Sequence, residues 1–225
     1  MGRSLTPEFS AYIAALHTRA GVELRFGASV SAIEPGRVIV DGNALLADVV
    51  VAGIGIARNT ELAESAGAAL DNGILVDEFG RTNVPGIHAA GDVTAFWHPT
   101  FAARLRLEAW RHAQNHGIAA GRAMAGQGAP YDDIPWFWTD QHGMNLQLAG
   151  LPHLATTTIW RGDRTAASFA TFHLDAESRV VGATGVNAPR EVRAAMSLIA
   201  KNVPVDPAQL ADTSMPLQKI VAGAR

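Results

Sequence analysis

The sequence contains no cysteine in its 225 residues. That absence excludes structural disulfides, thiolate-bound metal, a redox-active disulfide and an iron–sulfur cluster held by this chain, and it is compatible with a reducing compartment. An excess of one charge is also missing: 18 basic residues face 21 acidic ones, for a formal net charge of −3. Neither sign gathers into blocks, so there is no electrostatic footprint for nucleic acid or an anionic membrane. Long hydrophobic runs are absent as well. The most apolar stretch, LLADVVVAGIGIA, is broken by Asp48 and is too short to span a bilayer. The opening MGRSLTPEF lacks the basic flank and apolar centre of a signal peptide. These absences together predict a soluble, cytoplasmic chain with neither nucleic acid nor membrane as a partner.

What is present is a globular composition, 48% hydrophobic and 17% charged, sufficient for one large or two smaller cores. Residues 6–20 have the pattern of a helix, with Thr6 as cap, Pro7 in the first turn, Phe9, Tyr12, Ile13 and Leu16 on one face, and Gly21 as the stop. VELRF, SVSAIE and RVIVDG are β-rich, and Pro35-Gly36 predicts a turn between the last two. ADVVVAGIG reads as a strand buried on both faces of an α/β sheet. A helix near 60–67 and strands at GILVD and GIHAAGD follow. Leu105–Met124 reads as one long helix with Leu107, Trp110, Ala113 and Gln114 on one side. AGQGAP, residues 125–130, predicts a domain boundary. Beyond it NLQLAGL, TTTIWRG, ASFATFHLD and RVVGATGVN have the spacing of an antiparallel meander, followed by the helix PREVRAAMSLIAK and a proline-containing tail.

The chemistry is concentrated in AAGD, residues 89–92. At the carboxyl end of a strand in an open α/β sheet, Gly91 permits close approach to the backbone and Asp92 offers a carboxylate to ligand hydroxyls. The competing reading is an ordinary strand-to-turn dipeptide. The wider segment RTNVPGIHAAGDV resembles the second flavin fingerprint of the two-dinucleotide-fold flavoprotein reductases, T-x-x-P-x-I/V-(aromatic or His)-A-x-G-D. ADVVVAGIGIARNTEL resembles the same superfamily's return from the NAD domain to the FAD domain, although Ala57-Arg58 stands where a proline is usual. RLEAWRHAQNHG and PWFWTDQ are similar to the ferredoxin reductase components of aromatic-ring dioxygenase systems, relatives of putidaredoxin and rubredoxin reductases. Here His116 replaces the usual glutamine before Gly117, and Thr139 the usual serine.

The resemblance implies a partial two-dinucleotide-binding, Rossmann-like α/β flavoprotein fold followed by an α+β C-terminal domain with an antiparallel sheet. It divides the chain into 1–49, the later part of an NAD-binding domain; 50–128, the C-terminal part of an FAD-binding domain; and 129–225, the reductase C-terminal domain. It implies FAD and NAD(P)H as cofactors, a 2Fe–2S ferredoxin as partner, and no metal. Gly91, Asp92 and Val93 would hold the ribityl chain. The helix starting near Leu107 would point its N-terminus at the pyrimidine end of the flavin. Glu108 would lie near the nicotinamide carboxamide, Trp110 at the flavin edge and Trp138 beside the isoalloxazine. Gly53, Ile54 and Gly55 would form a ledge beneath the nicotinamide. Glu108 and Trp138 are the catalytic candidates.

Each assignment has a plainer competitor. Trp136, Phe137 and Trp138 also read as an apolar plug between domains, and Glu108 with Arg111 as an exposed helix pair. Arg104, Arg106 and Arg111 are either solvated surface or a patch that steers an acidic ferredoxin. His112 and His116 share the i, i+4 spacing of a metal pair, but neither a glutamate motif nor a third ligand accompanies them.

No G-x-G-x-x-G in this chain follows a strand and opens a helix, so the loops that receive the two pyrophosphates are not here. The expectation is therefore the C-terminal half of a longer reductase, with self-association covering the apolar surface left by DVVVAGIG and GIHAAGD. A non-catalytic docking or dimerisation module without flavin is the alternative for the isolated chain. A flavin-dependent disulfide or peroxide reductase is a third reading, against which the WFWTDQ domain argues.

Overall fold

A computed structural model describes residues 5–224. The first four residues of the opening read against a signal peptide lie outside them. The chain divides into two compact units, one of them Pro7–Ala57 and the other built on Arg58–Arg225.

In the first unit Pro7 opens helix α1 (Pro7–Arg19), which buries Phe9 and Ile13, the apolar positions four apart on one face. Gly21, at φ +85°, ends it in a left-handed turn, and the Val22 N–H returns to the His17 carbonyl at 3.0 Å. An antiparallel sheet follows in the order β1 (Val30–Glu34), β2 (Arg37–Val40), β3 (Asn43–Leu46). Pro35-Gly36 makes the first turn, with Glu34 opposite Arg37. Asp41 and Gly42, both at positive φ, make the second.

Two expected strands do not form. VELRF is irregular, and so is the whole of residues 47–60. The run DVVVAGIG is exposed rather than doubly buried, with Val51 at 88% and Ile54 at 93%. A strand buried on both faces needs a neighbour on each edge for its N–H and C=O groups. Among the described residues no strand pairs with this segment, so its composition has nothing to act on.

The second unit begins with the short helix α2 (Glu61–Ser65) and a three-stranded sheet, β4 (Ile74–Val76), β5 (Thr94–His98), β6 (Ala103–Leu105), with β4 parallel and β6 antiparallel to β5. GIHAAGD is not a strand. Gly86 at φ +81° and Gly91 at φ +79° interrupt it, and its bonds form a local hairpin, Thr82 N–H to Ile87 at 3.1 Å and Ala89 N–H to Gly80 at 2.9 Å. Asp92 thus stands in a turn that leads into β5 instead of closing a strand. The long helix is also shorter than expected. Leu105 pairs with Phe96 in the β5–β6 ladder and Ala109 is extended, so helix α3 runs Trp110–Met124. Pairing with β5 overrides the helical propensity of Leu105, and residues 106–109 are irregular.

The C-terminal region is a five-stranded antiparallel sheet in the order β7 (Trp136–Gln141), β8 (Met144–Gly150), β11 (Val180–Val186), β10 (Phe169–Leu174), β9 (Thr157–Arg161). Helix α4 (Pro189–Lys201) covers one face, helped by Gly185, where a Cβ would meet Val192 at 2.7 Å. Phe172, Leu174, Val192, Leu198 and Ile199 are buried between them, each stabilising by about 1.5–3 kcal/mol. Helices α5 (Pro207–Ala211) and α6 (Leu217–Gly223) close the core. Arg161 is buried in that packing, its guanidinium donating to the carbonyls of Leu210, Asp212 and Met215 at 3.0, 2.7 and 2.8 Å.

Candidate functional site at the start of helix α3

The turn before β5 and the start of α3 meet at Gly91 and Asp92. Gly91 sits beneath the first turn of the helix, where a Cβ would stand 3.6 Å from Ala113 Cα. The contact is ordinary van der Waals packing, and it is the positive φ, +79°, that favours glycine. Val93 is held from the other side, its carbonyl accepting the Ile74 N–H at 2.9 Å. The Ala109 N–H, at the cap of α3, points at the Asp92 carboxylate. Asp92 therefore does from a distance what a helix's own capping side chain usually does, while Ala109 has no side chain able to cap.

That bond leaves Asp92 half satisfied. Oδ1 is buried without a hydrogen-bond partner, and so is Nε of the neighbouring Arg106. Burial raises the Asp92 pKa, helped by the negative charge of Glu108, while the Ala109 N–H and Arg106 oppose the rise. Glu108 is ion-paired with Arg106. The site thus holds an acceptor and a donor with no protein partner at a helix N-terminus, which suits a ligand bearing hydroxyls and further polar atoms.

Trp110, the first residue of α3, is 69% exposed. One residue on, the Arg111 guanidinium lies over the Trp136 ring at 5.2 Å. Trp136 stacks on Trp138 at 4.9 Å and 23° and donates from Nε1 to Gln147 at 3.2 Å. Trp138 remains 42% exposed, so it is an accessible indole rather than a buried plug. Asp92, Glu108, Trp110 and Trp138 are therefore linked through one helix end and one strand. Gly53, Ile54 and Gly55 lie in the other compact unit, in its irregular segment, with Gly55 at φ +95°.

The core face of α3 carries His112, His116 and Ala120. The two histidines pack with Phe96 and Tyr131, ring centroids 4.7–5.6 Å apart. Burial lowers the pKa of each to about 4, aided for His116 by His112. His112 Nδ1 lies 3.1 Å from the Tyr131 hydroxyl, and His116 Nδ1 accepts the Gly91 N–H at 3.2 Å. Among the described residues no three histidine, cysteine or carboxylate side chains converge on a point where a metal could sit. The three arginines have separate partners. Arg104 donates to the carbonyls of Val76 and Ala95 at 3.4 and 3.2 Å, Arg106 serves Glu108, and Arg111 serves Trp136. The sequence pointed to Arg106 only as one of an arginine cluster, not as a neighbour of Asp92, and did not mark the histidines as core. The recurrence of His112, His116 and Ala120 at intervals of four was the available signal for the second.

Comparison with known proteins adds to this geometry. Residues 1–117 match the family model for pyridine nucleotide-disulphide oxidoreductases, and residues 136–221 that for the reductase C-terminal domain. The chain is 39% identical over 221 residues to the ferredoxin–NAD(+) reductase component of an anthranilate 1,2-dioxygenase system from Burkholderia cepacia, covering 96% of this chain and 54% of that protein. It is 36% identical over 220 residues to the corresponding component of a p-cumate 2,3-dioxygenase system from Pseudomonas putida, covering 97% and 54%. A solved covalent complex of putidaredoxin reductase with putidaredoxin is similar with a TM-score of 0.92 and 34% identity, covering 100% of this chain and 55% of that one. The chain spans about half the length of the curated relatives it matches. Among the described residues no helix is long and apolar enough to cross a membrane.

Proposed function

The chain belongs to the pyridine nucleotide-disulphide oxidoreductase family, and we propose that it supplies the C-terminal half of a ferredoxin reductase that passes electrons from NAD(P)H through FAD to a 2Fe–2S ferredoxin of a dioxygenase-type system in the cytoplasm. The observation that carries this reading is the orphaned Asp92 Oδ1, buried at the start of α3 beside the orphaned Arg106 Nε. A buried carboxylate oxygen without a donor costs about 1–3 kcal/mol, and a ribityl hydroxyl is the donor the family's chemistry brings to it. The site residues present therefore fit that end of the cofactor.

A bound flavin supplies the conversion between a two-electron donor and a one-electron acceptor. The chain's part is to hold and shield it. Gly91 lets the cofactor approach the backbone, Asp92 binds its hydroxyls, and Val93 keeps the turn tied to β4. The start of α3 favours negative charge on the ring system, and Trp110 contacts its edge. Trp138 excludes water on the side where a ferredoxin docks. Glu108, fixed by Arg106, orients the nicotinamide carboxamide; Gly53, Ile54 and Gly55, the residues expected to meet a nicotinamide through their backbone, belong to the smaller unit. Residues 1–49, 50–128 and 129–225 are then the NAD, FAD and C-terminal portions.

FAD titration followed by flavin fluorescence tests the reading. Wild-type chain is expected to quench FAD, and Asp92→Ala to weaken that binding about tenfold or more, the equivalent of one lost hydrogen bond to a charged group. Equal binding by both proteins would refute the placement. The second reading, a docking or dimerisation module without flavin, is favoured by the exposed apolar run 46–56. A second copy of the chain covers that run in this reading.

A further inference from the structure

His116 is more than a neutral replacement in the helix. Its ring is fully buried, and its Nδ1 accepts the Gly91 N–H at 3.2 Å. The other half of the same residue is held by Thr94, which donates to the Gly91 carbonyl from its hydroxyl at 2.7 Å and from its backbone N–H at 3.0 Å. The Thr94 hydroxyl has one proton, and the Gly91 carbonyl takes it, so the 3.4 Å approach of that hydroxyl to His116 Nδ1 leaves the nitrogen to the Gly91 N–H. Gly91 is thus gripped on both its donor and its acceptor. The next residue is Asp92.

We propose that His116 is a positioning residue, which through Gly91 sets the turn that carries the Asp92 carboxylate to the start of α3. The tautomer follows from the geometry. Nδ1 accepts, so the neutral ring carries its proton on Nε2. The side chain and its target lie on different elements, α3 and the turn before β5, so the bond fixes the helix relative to the loop. Left without it, a glycine at φ +79° is the most permissive residue in the turn. The link to flavin binding rests on the function proposed above; the link from His116 to Asp92 does not.

The test compares wild type, His116→Leu and His116→Asn by NMR. Asparagine places a carbonyl oxygen at the position of Nδ1, whereas leucine places a methyl group there. Both lose the ring, so a purely structural role predicts the same behaviour for both. The proposal expects the Gly91 amide to exchange with solvent at least tenfold faster in His116→Leu and to be largely protected again in His116→Asn. It also expects the Ala109 amide shift to follow the Asp92 titration in wild type and His116→Asn but not in His116→Leu. Direct ¹⁵N observation of the wild-type ring should find Nδ1 unprotonated, a result that needs no variant to fold. A protonated Nδ1, or identical Gly91 exchange in the two variants, overturns the proposal. FAD titration of the same proteins separates the two claims: if wild type binds no FAD while the amide pattern holds, the flavin reading fails and the positioning role stands.

Discussion

Mild acid should unfold the larger unit before its carboxylates protonate, and the structure gives the amount. His112 and His116 are buried neutral, with pKa values lowered from 6.5 to about 4. Burial also lowers that of His98, against the Asp133 carbonyl and the charges of Asp132 and Asp133. The unfolded chain takes up these protons below about pH 6.5 and the folded chain only near 4, so stability falls as pH drops through that window. At pH 4.5 the linkage relation costs about 2.5 kcal/mol per histidine relative to pH 7.5, or roughly 5 kcal/mol for the pair. Asp92 works the other way, because its raised pKa makes the folded state less unfavourable as the pH falls. Asp163 is held below 3.8 by Thr165, Asp212 by Ser214, and Asp175 by Arg179 against its own burial, so their contributions are lost only below that pH. Tyr131, whose hydroxyl meets His112, is raised and stays protonated throughout. Urea unfolding followed by tryptophan fluorescence measures the effect cleanly, since all five tryptophans lie beyond residue 58 and report the larger unit alone. His116→Asn should remove about half of the pH dependence. Stability that is flat between pH 7.5 and 4.5 would refute the buried-neutral assignment.

Replacing Arg161 with leucine leaves the carbonyls of Leu210, Asp212 and Met215 without their donor and should cost about 3–5 kcal/mol in the same urea assay; a loss under 1 kcal/mol would show the guanidinium to be dispensable. The exposed run around Val49, Val51 and Ile54 should drive self-association, so light scattering is expected to find a dimer or larger species that the triple change to lysine disperses. A monodisperse wild-type monomer would contradict this.

The legible parts of the fold were those determined locally. Pro35-Gly36 sets its turn by backbone chemistry, and the C-terminal sheet pairs strands adjacent in sequence, apart from β11, which inserts between β8 and β10. Where strand pairing decides, composition misled. Leu105 joins β5 across a short hairpin rather than α3, and Val49–Ile56 lacks, among the described residues, the neighbours that would make it a strand. Trp110 outranks His112 on any hydropathy scale, yet the tryptophan is exposed and the histidine buried, because Phe96 and Tyr131 offer the ring a stacked pocket. The motif singles out Asp92 as a candidate, but its unpartnered oxygen and its contact with Ala109 belong to tertiary structure.

NMR of the wild-type chain with saturating FAD tests most directly the proposed flavin end of this molecule, the turn at Asp92 and the start of α3. Shift changes are expected to concentrate at the amides of Gly91, Asp92, Val93 and Ala109 and at the Trp138 indole. Perturbations confined to other surfaces, or none at saturation, would contradict that placement.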